Sequence, residues 1–561
     1  MPEEYTRIAR SVARQARHSV AVDSVTSFHF AIRIRPKFPL PHAPLFARAP
    51  TCSSVPAMPF ASPDLLRLRR ARRALTLGLE RRRAVDLIGV LAGSLLVAGS
   101  LWAQPPSGSA SATAPPAAAQ PPAGTRTAAQ LTLPFEKYRL KNGLEVILHQ
   151  DRSLPLVAVN LCYHVGPANE PKGRSGFAHL FEHLMFEGSR HVGREFDRLL
   201  EAAGATNVNG TTSWDRTNYF ETVPREHLEL VLWVESDRMG FMLDALDSER
   251  LEVQRDVVKN ERRQSYENAP YGPSALALLD TLFPAGTPYH GAIIGSMTDL
   301  SAATLSDVRE FFHAYYAPSN ATLTLAGDFE LEAAKQLIAK YFETLPDRPR
   351  PKSTAQPIPP PAKAERRTVR EPVELARVTF GYVTPPAYTA DDPALDVSMA
   401  ILAGGKATRL YRALVVEGKL ASEVDASLDS NQLASAATVS ATVASGKKVE
   451  DVERAMDAVL AGLSERGPTK NELDRAKRRI LLAVLGNLEL LNGPGGESGR
   501  AGLMQRFNHY VGDPGYLPTW VAQIEAITEK DVQRVVREHL SPARRVVVVT
   551  EPSKGSSGAR P

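Results

Sequence analysis

The chain repeats itself, and the repeat constrains its architecture more than any other feature. Asp307-Val308 is followed, eleven residues after the aspartate, by Pro318 and then by a strand-like apolar run at 321–325. Asp531-Val532 is followed at the same interval by Pro542 and the run 546–549, and Thr304 and Thr528 stand at matching helix starts. Between the copies, Pro346, Pro349, Pro351, Pro357, Pro359, Pro360 and Pro361 argue against regular structure and mark a linker. A duplicated unit of roughly 200 residues, an ordinary domain size, is the simplest architecture. With 561 residues and 43% hydrophobic content, the chain can bury a core in each copy.

Each unit reads as α+β, because strand-like and helix-like stretches alternate from residue 135 onward. Asn142-Gly143 turns between strands at 138–140 and 144–148, and a third strand is expected at 156–165. Phe177, Leu180 and Leu184 form an apolar stripe of helical spacing within 176–186. A helix at 195–203 ends at Gly204, and strands at 206–212 and 217–223 follow. Two long helices, 226–242 and 248–265, are expected to carry charge on a solvated side and apolar residues on the other.

The first copy alone contains His179-Leu180-Phe181-Glu182-His183. On a helix these histidines and the glutamate share a face, placing two imidazoles and a carboxylate around one space. That is zinc chemistry, with two neutral ligands and a base one turn away, in the order known for inverted zincins. A lone histidine is more often a satisfied or exposed side chain. With 13 histidines in the chain, chance supplies only about 0.02 matches to the full pattern. Catalytic zinc normally has three protein ligands, and Glu261 is the best third candidate, on one helical face with Gln254 and Val258. Local sequence by itself favours a solvated charge there, beside Arg262 and Arg263. A closed structural site would usually present four ligands, often cysteines, and this one has neither.

The segment from Gly176 to Ser189 (GFAHLFEHLMFEGS) resembles the signature of the insulinase, or pitrilysin-type, inverted zinc metallopeptidases, including the processing-peptidase branch. Arg255-Asp256-Val257-Val258-Lys259-Asn260-Glu261 is similar to that family's third-ligand helix. The resemblance covers about residues 130–552 and implies two homologous α+β domains, each a mostly antiparallel sheet packed with helices, facing each other across an enclosed chamber. It further implies that His179, His183 and Glu261 bind Zn2+ while Glu182 is the general base of an endopeptidase acting through a metal-activated water. Residues 205–212 are similar to the family's substrate-binding edge strand, so Asn209 and Gly210 are the expected peptide contacts. A polar turn is the alternative there, since Asn-Gly is common in turns.

Three positions depart from the family pattern. Where relatives often carry an arginine and, seven residues later, a tyrosine that bind the substrate carbonyl, this chain has Val415 and Ser422. Gln254 stands where some relatives have a second glutamate, leaving a neutral residue behind the ligands. The missing pair suggests a heterodimer with a homologous subunit that supplies Arg and Tyr, with a homodimer as the fallback. Two alternatives to a general peptidase follow: a precursor-specific processing subunit needing a partner, and a catalytically idle structural subunit.

Charge is informative only after division. Residues 1–103 hold 16 Lys/Arg against 6 Asp/Glu, leaving 51 against 56 for the rest, so composition offers no case for a nucleic-acid partner. Arg81-Arg82-Arg83 followed by the 17-residue apolar run 87–103 reads as a secretory signal, or as a membrane anchor if uncleaved. The expected organisation is a disordered or untranslated extension (1–80), signal (81–103), Pro/Ala-rich tether (104–130), zinc-binding domain (131–345), linker (346–366), second domain without the motif (367–552) and tail (553–561). The address is the periplasm or cell envelope. Cys52 precedes the signal, so Cys162 alone remains in the mature chain and no intrachain disulfide can form.

Overall fold

The computed structural model describes residues 131–553, except 347 and 352–355. The extension, signal, tether, Cys52 and the tail beyond residue 553 lie outside the described residues.

The first half builds one mixed sheet from β1 (Glu136–Arg139), β2 (Glu145–Gln150), β3 (Leu156–Tyr163), β4 (Thr206–Thr212), β5 (Thr217–Pro224) and β6 (Ala321–Gly327). Its order is β1-β2-β6-β3-β5-β4, with β2 and β6 parallel and the other pairs antiparallel. The helices of this half are α1 (Phe177–Leu184), α2 (Phe196–Ala202), α3 (Leu228–Ala245), α4 (Ser248–Arg262), α5 (Gly272–Leu282), α6 (Met297–Ala302), α7 (Leu305–Tyr315) and α8 (Leu331–Phe342).

The second half repeats the plan. Strands β7 (Glu365–Glu371), β8 (Arg377–Thr384), β9 (Ala421–Asp429), β10 (Ser435–Val443) and β11 (Val546–Pro552) are ordered β7-β11-β8-β10-β9. Its parallel pair, β7 with β11, matches β2 with β6 strand for strand. Residues 365 and 366 of the expected linker therefore lie in β7. Helices α9 (Asp392–Leu402), α10 (Val449–Arg466), α11 (Lys470–Leu488), α12 (Gly499–Val511), α13 (Leu517–Ala526) and α14 (Glu529–His539) complete it. The repeated Thr-x-x-Asp segments are capping boxes: Thr304 with Asp307 starts α7, and Thr528 with Asp531 starts α14. The α+β duplication expected from the repeat is the fold observed.

Tertiary structure adds an exchange of helices. α5 of the first half packs on the second sheet, where Leu278 and Leu282 join Val383, Val546 and Val548 in one core. Gly381 makes room for it: a Cβ there would lie 2.6 Å from Leu278 Cδ1. In return α12 lies on the first sheet, with Ala501 and Met504 against Ile147, Ala158 and Ala326. Each half thus lends an apolar surface that the other's sheet needs, which ties the two cores together.

Two expectations need correction. α3 carries solvated charge only towards its ends, at Glu229 and Asp244, and its middle is buried all round, since Glu235, Ser236, Asp237 and Arg238 are all 0–1% exposed. These charges are satisfied internally. Asp237 Oδ1 lies 2.5 Å from His191 Nδ1, and Asp237 Oδ2 accepts from the Ser189 hydroxyl and the His191 N–H, while Arg238 pairs with Glu235. α4 ends at Arg262, and the last expected turn winds wider as a π-helical turn over Arg263–Glu267, closed by Asn268 N donating to Arg263 O at 2.7 Å.

Candidate metal centre

α1 is pinned by the apolar stripe read from its sequence. Phe177, Leu180, Phe181 and Leu184 are buried, and Phe181 stacks near Phe311, Phe312 and Tyr316, with ring centroids 5.0–6.4 Å apart. The opposite face is left for His179, Glu182 and His183. The helix start is held without a side-chain cap of its own: the carboxylate of Glu170 accepts from Gly176 N at 2.9 Å and Ala178 N at 2.8 Å. Gly176, at φ 88°, abuts Gly295, where a Cβ would sit 2.3 Å from Gly176 Cα, so the loop before α6 can reach the entry to α1.

α4 packs beside α1 and brings Glu261 to the histidines. Glu261 Oε2 lies 3.3 Å from His183 Nε2 and 3.7 Å from His179 Nε2, and one ligand atom from each residue falls within 4.8 Å of the others. Residues 78 and 82 positions apart in the chain share one site. Glu261 Oε2 is buried, with the His183 imidazole as its close polar contact. A buried carboxylate oxygen facing two imidazole nitrogens is the donor set of a catalytic zinc site, so the residues present fit that ion.

The electrostatics fit a cation as well. Burial pushes the His183 imidazole down, but its hydrogen bond with Glu261 and the charges of Glu182 and Glu261 outweigh this and raise it, with further support from Gln254. Burial dominates at His179, helped by the charge of His183, and lowers it. For Glu261, burial acts upward and is overcome by the His183 hydrogen bond and both histidine charges, leaving it below the usual carboxylate value. The negative charge of the site therefore persists where a positive ion would be held. Gln254 sits behind the ligands and donates to Glu187 Oε1 at 2.5 Å.

β4 is the edge strand beside α1, and 209–210 is strand, not turn: Asn209 pairs with Phe220 and Gly210 with Tyr219. The two expected peptide contacts differ in role. A Cβ on Gly210 would lie 2.9 Å from Glu182 Cγ and 3.1 Å from Phe186 Cε2, so this glycine leaves space for the carboxylate. Asn209 Oδ1 accepts the Gly210 N–H at 2.9 Å. Sequence reasoning missed Thr212, whose Oγ1 donates to Glu182 Oε2 at 2.6 Å. The strand's alternation was the available signal, since Gly210 and Thr212 share a face.

In the second half, Arg409 is held by Glu472 through two contacts of 2.8 Å, and its Nη2 also donates to Gly467 O at 2.9 Å. Val415 packs against the second core and Ser422 Oγ lies 3.4 Å from Thr442 O. Neither offers a cation or a phenol.

Sequence comparison bears on this geometry. The family described as Insulinase (Peptidase family M16) matches residues 145–282, and the Peptidase M16 inactive domain matches 302–480. The zinc protease PqqE of Helicobacter pylori is 30% identical over 440 residues, spanning 76% of this chain and 96% of that protein. The chain belongs to the insulinase family, peptidase family M16. Among solved structures, a protease from Helicobacter pylori aligns with a TM-score of 0.69 at 28% identity, over 75% of this chain and all of that one. The periplasmic protease PqqL from Escherichia coli shares the M16 fold at TM-score 0.60 and 18% identity, over 75% of this chain and 48% of that protein. Among the described residues no helix is long and apolar enough to cross a membrane.

Proposed function

We propose that this M16 chain is a zinc-dependent endopeptidase that hydrolyses peptides or unfolded segments in the cell envelope. The observation that carries the reading is the convergence of His179, His183 and Glu261, with Glu182 exposed to the same space from the face of α1. His179 Nε2, His183 Nε2 and Glu261 Oε2 would hold the ion. When bound, zinc would polarise the scissile carbonyl and acidify an attacking water. The remaining work falls to side chains of this chain. Thr212 fixes Glu182 Oε2, which leaves Oε1 to accept a proton from water and return it to the leaving amine. An extended peptide would add to the free edge of β4, and the Gly210 N–H becomes a main-chain donor once Asn209 Oδ1 releases it.

The role of Thr212 is testable with two variants, one that removes its hydroxyl and one that keeps it. Thr212→Val should lower turnover about tenfold, because a hydrogen bond to a charged group is lost. Its zinc content should be unchanged. Thr212→Ser, which keeps the hydroxyl, should retain turnover close to that of the parent. Equal turnover in Thr212→Val and Thr212→Ser would show that Thr212 does not act on Glu182 through its hydroxyl.

Val415 and Ser422 favour a partnered enzyme. With no side chain at these positions able to stabilise an oxyanion, a homologous subunit carrying the Arg/Tyr pair would complete the site. The test is peptide-library cleavage by the mature chain, purified to a single polypeptide, with zinc content measured on the same sample. One bound zinc at this centre with slow cleavage, accelerated by a homologous M16 subunit, is the expected result. Fast cleavage by the single polypeptide would remove the need for a partner, and failure to take up zinc would leave the idle-subunit reading.

A further inference from the structure

Cys162 has no part in the proposed chemistry, yet it sits in a cluster built by both halves. It lies on β3 and is fully buried, on the side of the first sheet that α12 covers. Asn160, two residues earlier on the same face, donates to Gly496 O of the segment leading into α12. His164 follows Cys162 at the same spacing, and α12 brings His509 over the strand from 345 residues away. One ligand atom from each of Cys162, His164 and His509 falls within 4.8 Å of the others.

The hydrogen bonding of this cluster is incomplete. His164 Nδ1 and His509 Nδ1 are 2.7 Å apart and must share one proton, with the rings stacked at 18°. His164 Nε2 is 3.0 Å from Thr322 Oγ1, whereas His509 Nε2 is buried with no partner. Beside it is a small cavity lined by Cys162, Arg216, Glu497, Gln505, Arg506 and His509. Of the two cations there, Arg216 donates from Nε to Glu497 Oε1 at 2.6 Å, and Arg506 lies over the Tyr388 ring with its buried Nε unbonded.

We propose that Cys162, His164 and His509 form a second metal site, which takes a thiophilic divalent ion of the zinc class and clasps α12 of the second half to the sheet of the first. One thiolate and two imidazoles are a zinc-type donor set, and a three-ligand centre leaves a position toward the cavity. Binding releases the thiol proton to solvent, and the proton shared by the two Nδ1 atoms passes to His509 Nε2, which frees both Nδ1 lone pairs while each imidazole stays neutral. The ordinary alternative is a histidine pair packed on an inert buried thiol.

Cobalt distinguishes the two. The catalytic centre offers nitrogen and oxygen only, so a thiolate-to-cobalt charge-transfer band in the near ultraviolet reports Cys162 alone. The full-length chain carrying Cys52→Ser, which leaves Cys162 as its single thiol, stripped of metal and titrated with Co2+, is expected to show this band. His179→Ala/His183→Ala should retain it with one cobalt per chain, which keeps this site separable from any failure of the peptidase reading. Cys162→Ser should abolish the band. His509→Gln, which keeps the thiol, should weaken cobalt binding by at least about tenfold. Zinc content should be two per chain in the parent and one in Cys162→Ser. A folded parent chain that shows no charge-transfer band, or holds the same zinc as Cys162→Ser, overturns the proposal.

Discussion

Glu182→Gln should keep its zinc and lose about 10²–10⁴-fold in kcat/KM, the range expected when a positioned general base is removed. The metal stays because Glu182 is not among the converging donors, which are His179, His183 and Glu261. The fold around it stays because glutamine has the same shape and its amide oxygen can still accept from Thr212 Oγ1, as Glu182 Oε2 does at 2.6 Å. Proton transfer is what disappears. His183→Ala is the contrasting variant: it removes a ligand, so zinc and turnover should fall together. Measuring metal content and kcat/KM on both variants separates base from ligand. Unchanged cleavage by Glu182→Gln would refute its assignment as the base.

Arg238→Ala should cost about 3–5 kcal/mol of folding stability, the usual penalty for leaving a buried charge without its partner. Arg238 is 1% exposed and Glu235 fully buried, joined through Arg238 Nε to Glu235 Oε2 at 2.9 Å and through a second guanidinium contact. Its guanidinium also lies 4.1 Å from the Tyr219 ring centroid, 4.7 Å from Phe196 and 5.4 Å from Phe186, just beyond the end of α1. Burial, reinforced by the charge of Glu235, holds the neighbouring Glu221 well above the usual carboxylate range. Glu235 is itself raised by burial, against the pull of Arg238.

The pH dependence of that loss has a definite sign. Without Arg238 the folded-state pKa of Glu235 rises further above its unfolded value. The variant's deficit is then small below the unfolded carboxylate pKa and grows as pH rises through the folded one. Urea unfolding at acidic and mildly alkaline pH should therefore show the two proteins converging in acid. A variant within about 1 kcal/mol of the parent at alkaline pH would mean that Arg238 is not compensating a buried charge.

Both predictions involve groups that sequence reading handled unequally. His179, Glu182 and His183 could be placed together because five consecutive residues on a helix have a geometry set by the backbone. The stripe of Phe177, Leu180 and Leu184 named the face that would be buried, and hence the face left for chemistry. The repeated Thr-x-x-Asp segments announced two equivalent helix starts, since a capping box is a local hydrogen-bond pattern. α3 misled for the opposite reason. Its Glu235, Asp237 and Arg238 look solvated in sequence, and their burial is made tolerable by the Glu235–Arg238 pair within the helix and by Ser189 and His191 in the loop after α1.

By itself the sequence determined what is periodic or contiguous: the duplication, the α+β alternation, the face of α1 that carries His179, Glu182 and His183, and the strand at 206–212. Tertiary structure decided everything that depends on two distant segments arriving at one place. It brought Glu261 to within 3.3 Å of His183, set Thr212 on the carboxylate of Glu182, exchanged α5 and α12 between the sheets, and stacked His509 over His164 above Cys162. Local backbone geometry repeats along a chain and can be read from spacing. Long-range pairing is chosen by the burial of whole faces, and no spacing records which faces will meet.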